Sequence, residues 1–356
     1  MGRNMAEKDR QGTIIPTMYI GLGGTGSRIV DRIASRAVKL PRWKEQLEPL
    51  VSFVAVDTNE LDQHKLVNIP RGNRINIAGF DKSKAVDGYR RSKNAKVLHW
   101  LDEAYKPRPG IKPGAGQIRV ESRLGFFYSS PVIRARLDEI VAAALAPNIT
   151  WRQQTPAKFY VYLFATLAGG TGSGSFLSMA YLINDVISKR GWQPRVIGNL
   201  PLSTMLVDRV DRQLHPAIHS NTYAALKELE HLTQLRYTEV HDQGRSKDSF
   251  VFWHDEEQPG LPEVEKGPFF LSFVYDRPPH ISLNQLEGTL GDGLFLQNFG
   301  PLMAEVSGEW DNFEKENASL TRFPGELRGV GLGYTKEFGA MGAAVLLVPS
   351  ADLAEY

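Results

Sequence analysis

The sequence predicts an α/β fold with a mostly parallel sheet and helices on both of its faces. Apolar runs of strand length alternate with longer segments of helical periodicity along the whole chain. Two of these runs end in glycine-rich loops, at 21–26 and 169–175, and each loop leads into a helical pattern. A length of 356 residues with 42% apolar content is enough to bury a sizeable core.

The first half of the chain contains two predicted strands and two predicted helices. Thr17–Leu22 is an apolar run that predicts a strand, and Ser27–Val38 shows helical spacing. A second buried strand is predicted over Val51–Val56. Residues 62–110 are polar and irregular, and we interpret them as an insertion. A helix is then predicted from about Pro131 to Leu145.

The second half of the chain repeats the alternation of strands and helices. Charges and prolines interrupt it over residues 236–266, where we predict a surface insertion. The predicted elements are, in chain order, a strand over Lys158–Thr166, a helix containing 176–183, a strand over Arg195–Leu200, a helix over Asn221–Leu235, a strand over Phe269–Tyr275, a long helix from Leu283 to about Val306 and a strand over Gly339–Val348.

Composition excludes several classes of function. The net charge is +2, so no nucleic-acid partner is expected, and the basic stretch 82–96 is interpreted as a solvated helix face. The chain has no cysteine, which excludes disulfides, thiolate zinc sites and cysteine nucleophiles and fits a reducing compartment. Residues 1–15 form a polar tail without a secretory signal pattern, and no apolar run approaches the ~18 residues of a membrane-spanning helix. We therefore expect a cytoplasmic protein without membrane insertion.

The first glycine loop, Gly21–Gly26, predicts a phosphate site. It lies between a strand and a helix, so its amides are expected to point into a crevice at the positive end of the helix. The motif alone leaves two alternatives open. It fits the Rossmann-like dinucleotide fingerprint, with Asp57 at the end of the next strand as a ribose ligand, and it also fits a turn that serves packing only.

The second loop, Gly169–Ser175, carries more information about its ligand. Four glycines, one threonine and two serines offer many backbone amides and hydroxyl donors to a polyphosphate. The loop lacks the lysine of a Walker motif, because no lysine or arginine lies between Lys158 and Lys189. We therefore expect amides, a helix dipole and a bound cation to neutralise the phosphate charge.

The two loops resemble conserved segments of one family. Gly169–Gly174 is similar to the tubulin signature loop, and Gly21–Ser27 is similar to the first phosphate loop of tubulins and the bacterial division tubulin FtsZ. Asp57–Asn59 resembles the acidic loop after the second strand, Gly114–Gln117 the loop near the γ-phosphate, and Pro201–Asp208 the ribose-contacting loop. The chain thus resembles a bacterial or archaeal member of the tubulin/FtsZ superfamily, which implies a tubulin-type GTPase domain.

The resemblance implies a GTP or GDP site with Mg²⁺. In the family two asparagines contact guanine, and Asn221 and Asn284 match them in position. His280 lies where the family has an aromatic residue on the base. Each asparagine alone fits a helix cap or a surface residue equally well. The implied contacts to phosphate, ribose and metal are Gly23, Gly24, Thr25, Gly26, Ser27, Asp57, Thr58, Gly114, Ala115, Gly116, Gln117, Gly169, Gly170, Thr171, Gly172, Ser173 and Gly174.

The resemblance also implies hydrolysis of GTP in head-to-tail filaments, where an acidic loop of one subunit completes the site of the next. Asp311 and Glu314 match the spacing of the acids in that loop. A carboxylate there can orient water toward a phosphoryl group. Glu309 replaces the asparagine of the family pattern, and Asp311 also fits a helix cap.

The resemblance predicts three parts of the chain. Residues 1–15 are the tail, 16–306 the nucleotide-binding domain with its long central helix, and 307–356 the acidic loop and the start of a second domain that is minimal or truncated. Two other classes of function stay open. One is a Rossmann-type enzyme that binds NAD or ATP, although one dinucleotide site does not explain the second loop. The other is a nucleotide-dependent scaffold without turnover.

Overall fold

The computed structural model describes residues 15–41, 43–107, 114–144, 158–238, 248–249, 252, 263–264, 267–299 and 338–339. Strands and helices alternate along this part of the chain. In order they are β1 (Thr17–Leu22), α1 (Gly23–Ala37), β2 (Val51–Asp57), α2 (Glu60–His64), β3 (Arg74–Asn76), α3 (Lys82–Arg91), α4 (Ala95–Leu98), α5 (Arg119–Ala144), β4 (Lys158–Ala165), α6 (Gly170–Lys189), β5 (Gln193–Pro201), α7 (His215–Thr238), β6 (Asp248–Ser249), β7 (Glu263–Val264), β8 (Leu271–Tyr275) and α8 (Leu283–Phe299).

Six of the strands form one parallel sheet in the order β3-β2-β1-β4-β5-β8. At its centre Thr17 lies opposite Val51 on one side and Tyr160 on the other. The predicted parallel sheet is confirmed. Since all six strands run in one direction, their carboxyl ends meet at one edge, where the loops that follow β1, β2, β4 and β5 come together.

Alternation along β1 divides the core between the two faces of the sheet. Met18, Ile20 and Leu22 are buried in one cluster with side chains of α5, α6 and α7. Tyr19 is buried in a second cluster with side chains of α1 and α8. Helices therefore cover both faces, as predicted, and both clusters position the helices whose first turns reach the carboxyl edge.

Two helices begin earlier than predicted because proline is tolerated at both positions. α5 begins at Arg119 rather than near Pro131, which lies inside it and faces solvent. The helix loses one backbone hydrogen bond there, while burial of Phe126 and Phe127 stabilises the turns before it. α7 begins at His215 rather than Asn221, because its second residue is a proline and the first N–H groups of a helix have no internal partner.

Within the predicted insertion 62–110, residues 62–107 are described, and they contribute to the core. They supply the edge strand β3, and they supply α3 and α4, whose Val86 and Val97 pack with Phe127. Lys82 is not on a solvated face: it is buried, and its Nζ lies 3.0 Å from Oε2 of the buried Glu121. Such a pair is stable only when both charges stay together.

Several predictions lie outside the described residues. They are the acidic loop and second domain at 307–356 apart from two residues, the helix beyond Phe299 and most of the 236–266 insertion. Within the predicted strand 339–348 only Gly339 is described, and it pairs in parallel with Phe273 of β8. In the part of the chain that the structure describes, the helices are too short or too polar to cross a membrane.

Candidate functional site

A cleft of ≈ 390 Å³ lies at the carboxyl edge of the sheet. Most of the predicted phosphate contacts line it, although they come from four separate loops. They are Gly23, Gly24, Thr25, Asp57, Thr58, Gly114, Ala115, Gly116, Gln117, Gly169, Gly170, Thr171 and Gly172. The structure thus brings these residues together, while their role as nucleotide ligands stays a prediction.

Two helices begin in the cleft without a capping side chain. The residues that precede α1 and α6, Leu22 and Gly169, accept no hydrogen bond with a side chain from the first turn. The first turns therefore present backbone N–H groups at the positive end of each helix dipole, which suits an anion. Gly23 has φ +72°, a conformation that other residues rarely adopt, and this lets α1 start directly after β1.

Two of the predicted glycine ligands lie where one backbone segment packs closely against another. A Cβ atom at Gly172 would lie 2.5 Å from the carbonyl oxygen of Thr166, and one at Gly26 would lie 2.3 Å from that of Phe164. Gly169 differs, because a Cβ there would meet cleft-lining groups no closer than 3.5 Å. Of the glycines in the second loop, Gly169 thus leaves space in the cleft rather than between chain segments.

Four predicted contacts are not part of the cleft lining. Gly26 packs against the sheet as described, and the Ser27 hydroxyl donates to the carbonyl oxygen of Gly21 at 3.3 Å. The Ser173 hydroxyl bonds to the carbonyl oxygen of Gly169 within α6. Ser173 and Gly174 line a separate cavity of ≈ 490 Å³ between α5, α6 and α7. The spacing of the motif could not separate residues that face a ligand from residues that face the protein.

Asp57 is buried at the end of β2 and has one unused carboxylate oxygen. Its Oδ1 accepts from the N–H groups of Thr58 at 2.7 Å and Asn59 at 3.2 Å, and from the hydroxyl of Thr171 at 3.1 Å. Its Oδ2 has no hydrogen-bond partner among the described residues. Burial raises the pKa of Asp57 from its usual 3.8 to about 6, against the opposing effect of these hydrogen bonds.

The loop Gly114–Gln117 closes a third side of the cleft. The Gly114 N–H donates to the carbonyl oxygen of Thr58 at 2.7 Å, which ties this loop to the acidic one. Gln117 has φ +62°, although it carries a side chain, and its Oε1 is buried without a partner in the described structure. A side chain held in a rare backbone conformation is typical of functional loops.

The two asparagines predicted to contact guanine have different surroundings, and neither lines the cleft. Asn221 donates from Nδ2 to the carbonyl oxygens of Gln117 at 2.9 Å and Ala168 at 3.0 Å, so both of its amino hydrogens hold the phosphate loops together. Asn284 is exposed at the start of α8, and its Oδ1 lies 3.5 Å from an Arg209 nitrogen. His280 is exposed in the turn before α8. Contacts of these residues with a base stay predictions.

Three charged residues that the sequence did not single out are joined by ion pairs beside the cleft. Arg28 contacts Glu287 through Nε at 3.3 Å and NH2 at 2.8 Å, and Arg209 contacts Glu287 through NH1 at 3.0 Å. Both arginines line the cleft. Burial raises the pKa of Glu287, while its partner Arg28 opposes that shift. Because the three lie on α1, α8 and the loop after β5, no local sequence pattern indicates them.

A family model described as tubulin like matches residues 18–356. No curated protein matches the sequence.

Solved structures with a similar arrangement are distant in sequence. CetZ from Methanosaeta thermophila shares 12% identity, with a TM-score of 0.44 over 80% of this chain and 53% of that one. The GDP-bound CetZ1 monomer from Haloferax volcanii shares 17% identity, with a TM-score of 0.41 over 79% of this chain and 58% of that one. TubZ from Bacillus thuringiensis serovar israelensis, in a GTPγS-form protofilament, shares 13% identity, with a TM-score of 0.40 over 79% of this chain and 55% of that one. The chain therefore spans little more than half the length of each of these proteins.

Proposed function

The chain belongs to the tubulin-like family, and from this membership and the geometry of the cleft we propose that it binds GTP or GDP there together with Mg²⁺. The observation that carries the proposal is the pair of uncapped helix starts that face one cleft beside a buried carboxylate with a free oxygen. Helix N-termini bind phosphate, and a carboxylate next to phosphate calls for a cation between them.

The phosphates fit the amides of the two glycine loops. The first turns of α1 and α6 supply N–H groups, and the hydroxyls of Thr25 and Thr171 lie in the lining of the same cleft. A lysine is not needed, because backbone amides and two helix dipoles carry the positive charge. The loop Gly114–Gln117 lies opposite the start of α6 and fits the outermost phosphate.

Mg²⁺ fits the unpaired oxygen of Asp57. Mg²⁺ binds to proteins through one or two carboxylates and completes its octahedron with water and substrate phosphates. The described residues contain no group of three acidic, histidine or cysteine side chains that could hold a metal by themselves. Asp57 Oδ2 would hold the ion together with the nucleotide, while Oδ1 of the same carboxylate stays bonded to the Thr171 hydroxyl, which pairs with that of Thr58 at 2.7 Å. The ion would supply neutralisation of the phosphate charge.

Hydrolysis of GTP is the second part of the proposal. Asp311 and Glu314 of a neighbouring copy would orient the attacking water in head-to-tail filaments, as the family resemblance implies. Phosphate release that rises more steeply than linearly with protein concentration supports completion of the site by a neighbour. A release rate that is linear in protein concentration contradicts it, and absence of turnover with tight binding points to a scaffold.

A single methyl-bearing side chain in the cleft tests the binding site. Gly169→Val places two methyl groups among Thr166, Leu206 and Gln117, in a backbone conformation (φ −78°) that suits a side chain and with no atom closer than 3.5 Å to the new Cβ. We expect GTP to raise the melting temperature of the wild type by several degrees and to raise that of the variant much less. Gly88→Ala, in a solvated turn of α3 with no atom near its Cβ position, is the matched control. Equal shifts in both variants would place the ligand elsewhere.

A further inference from the structure

The cavity of ≈ 490 Å³ between α5, α6 and α7 is separate from the cleft at the carboxyl edge. Its volume falls within the range of small-molecule sites, which is about 300–1,000 Å³. The cavity and the cleft have no lining residue in common among the described residues. The cavity is therefore a candidate site for a ligand other than the proposed nucleotide.

Part of the cavity lining is apolar and fixed by the core. Leu177, Leu232 and Phe252 line the cavity, and all three are buried members of the core cluster that contains α5, α6 and α7. Phe252 also stacks on Tyr181, with 4.3 Å between the ring centroids. Side chains that core packing holds in place give a rigid apolar surface, which suits the ring or hydrocarbon chain of a small molecule.

The ionisable part of the lining has an excess of positive charge. Its members are Arg119, Arg123, Lys227, Glu228 and His231. Arg119 donates from NH1 to Glu228 at 3.0 Å and from NH2 to the other carboxylate oxygen. Lys227 pairs at 2.6 Å with Glu230, which lies outside the lining. Among these residues three permanent cations are set against two carboxylates, so the local field favours an anion.

Arg123 joins the charged part of the lining to an aromatic ring. Its guanidinium carbon lies 4.4 Å from the centroid of the Trp100 ring, and both residues line the cavity. Burial lowers the pKa of Arg123 from 12.5 to about 10; the charge of Glu228 opposes this shift and that of Arg119 adds to it. The buried guanidinium is therefore a cation that an anion in the cavity would stabilise.

We propose that this cavity is a second binding site, which takes a small organic anion with an aromatic or aliphatic body. The anionic group, a carboxylate, sulfonate or phosphate, contacts Arg123, and the body lies against Leu177, Leu232 and Phe252. An inorganic anion satisfies only the arginine, and a neutral hydrocarbon satisfies only the apolar part of the lining. Tight binding therefore requires both parts in one molecule.

A matched pair of fluorescent probes tests both requirements. Anilinonaphthalene sulfonate combines a sulfonate with aromatic rings, and it binds to accessible apolar surface. Phenylnaphthylamine has the same rings without the sulfonate. We expect the wild type to bind one equivalent of the sulfonate probe and to bind the neutral probe about tenfold more weakly. Inorganic sulfate should not displace the sulfonate probe at constant ionic strength. Equal affinities for the two probes, or binding that does not saturate, would overturn the proposal.

Two substitutions in the lining should change the affinity for the sulfonate probe in opposite directions. Arg123→Gln removes a cation and is expected to weaken the sulfonate probe about tenfold. Glu228→Gln removes a carboxylate and is expected to tighten it about fivefold. Neither should change the neutral probe by more than about twofold. Arg190→Gln is the matched control, because Arg190 follows α6 and pairs with Asp138 of α5 outside the cavity lining.

The pattern across the variants separates anion binding from a general effect on the fold. If Arg123→Gln weakens both probes by the same factor, or Glu228→Gln weakens the sulfonate probe, the charges serve the structure alone and the proposal is refuted. Loss of the sulfonate probe in Gly169→Val, with no change in Arg123→Gln, would place the probe in the nucleotide cleft and would also refute it. Failure of the chain to bind GTP leaves this test unchanged, because the two sites share no lining residue.

Discussion

Asp57 gives the most detailed prediction, because its carboxylate is buried before any ligand binds. Its pKa is raised from 3.8 to about 6 in the folded chain. A raised folded pKa means that the folded state gains stability when the group is protonated, so this contribution is complete below about pH 4 and is lost as pH rises through 6. The difference corresponds to roughly 3 kcal/mol of unfolding free energy.

The substitution Asp57→Asn should therefore stabilise the nucleotide-free protein at neutral pH. We expect a gain of about 1–3 kcal/mol at pH 7, at the lower end if the new amide nitrogen stays unpaired at the position of Oδ2. The gain should disappear near pH 4. Urea unfolding of both proteins between pH 4 and 8 measures it.

Two controls accompany the Asp57 variant. Asp31 accepts hydrogen bonds from the backbone N–H groups of Val67, Asn68 and Ile69, so Asp31→Asn should destabilise the protein rather than stabilise it. With Asp57→Asn, the affinity for GTP should also lose most of its dependence on Mg²⁺. A variant that is less stable than the wild type at pH 7, or that keeps the full magnesium dependence, refutes the role given to Oδ2.

Two further substitutions probe the framework of the site. Glu121→Gln leaves the ammonium group of Lys82 buried without a counter-charge. We expect the unfolding free energy in urea to fall by about 3 kcal/mol, and adding Lys82→Met should restore much of this loss. No recovery in the double variant argues against the ion pair. Asn221→Ala frees the carbonyl oxygens of Gln117 and Ala168, so GTP, inosine triphosphate and ATP should weaken by a similar factor in calorimetry. Weakening of guanine nucleotides alone would support Asn221 as a base contact.

The sequence predicted the elements whose signal is local. β1 and β4 are continuous apolar runs, and glycines and a helix follow each of them, so their order and parallel direction could be inferred. β3 has three residues and one buried apolar side chain, which is too short for a periodic pattern. The start of α5 was missed because a proline inside a helix resembles a helix start when its neighbours are not considered.

The candidate site was predictable only at its phosphate end. A glycine-rich loop is recognisable in the sequence by its composition. The composition does not distinguish a glycine that packs against a strand from one that lines the cleft. The ion pair between Arg28 and Glu287 joins residues that are 259 positions apart in the sequence. Glu287 lies on α8, whose sequence is mainly apolar, so no local pattern indicated a charged contact there. Asn221 shows the same limit, because its position in the sequence did not indicate the two hydrogen bonds that its amide donates to loop carbonyls.

Calorimetric titration of the purified chain with GTP in the presence of Mg²⁺ tests the central claim most directly. Protein at concentrations well above micromolar should bind one equivalent of GTP, and GDP should compete for the same site. Binding should depend on Mg²⁺ and should be lost in Gly169→Val but retained in Gly88→Ala. Absence of heat and of competition with both GTP and GDP at these concentrations would contradict a guanine-nucleotide site in this cleft.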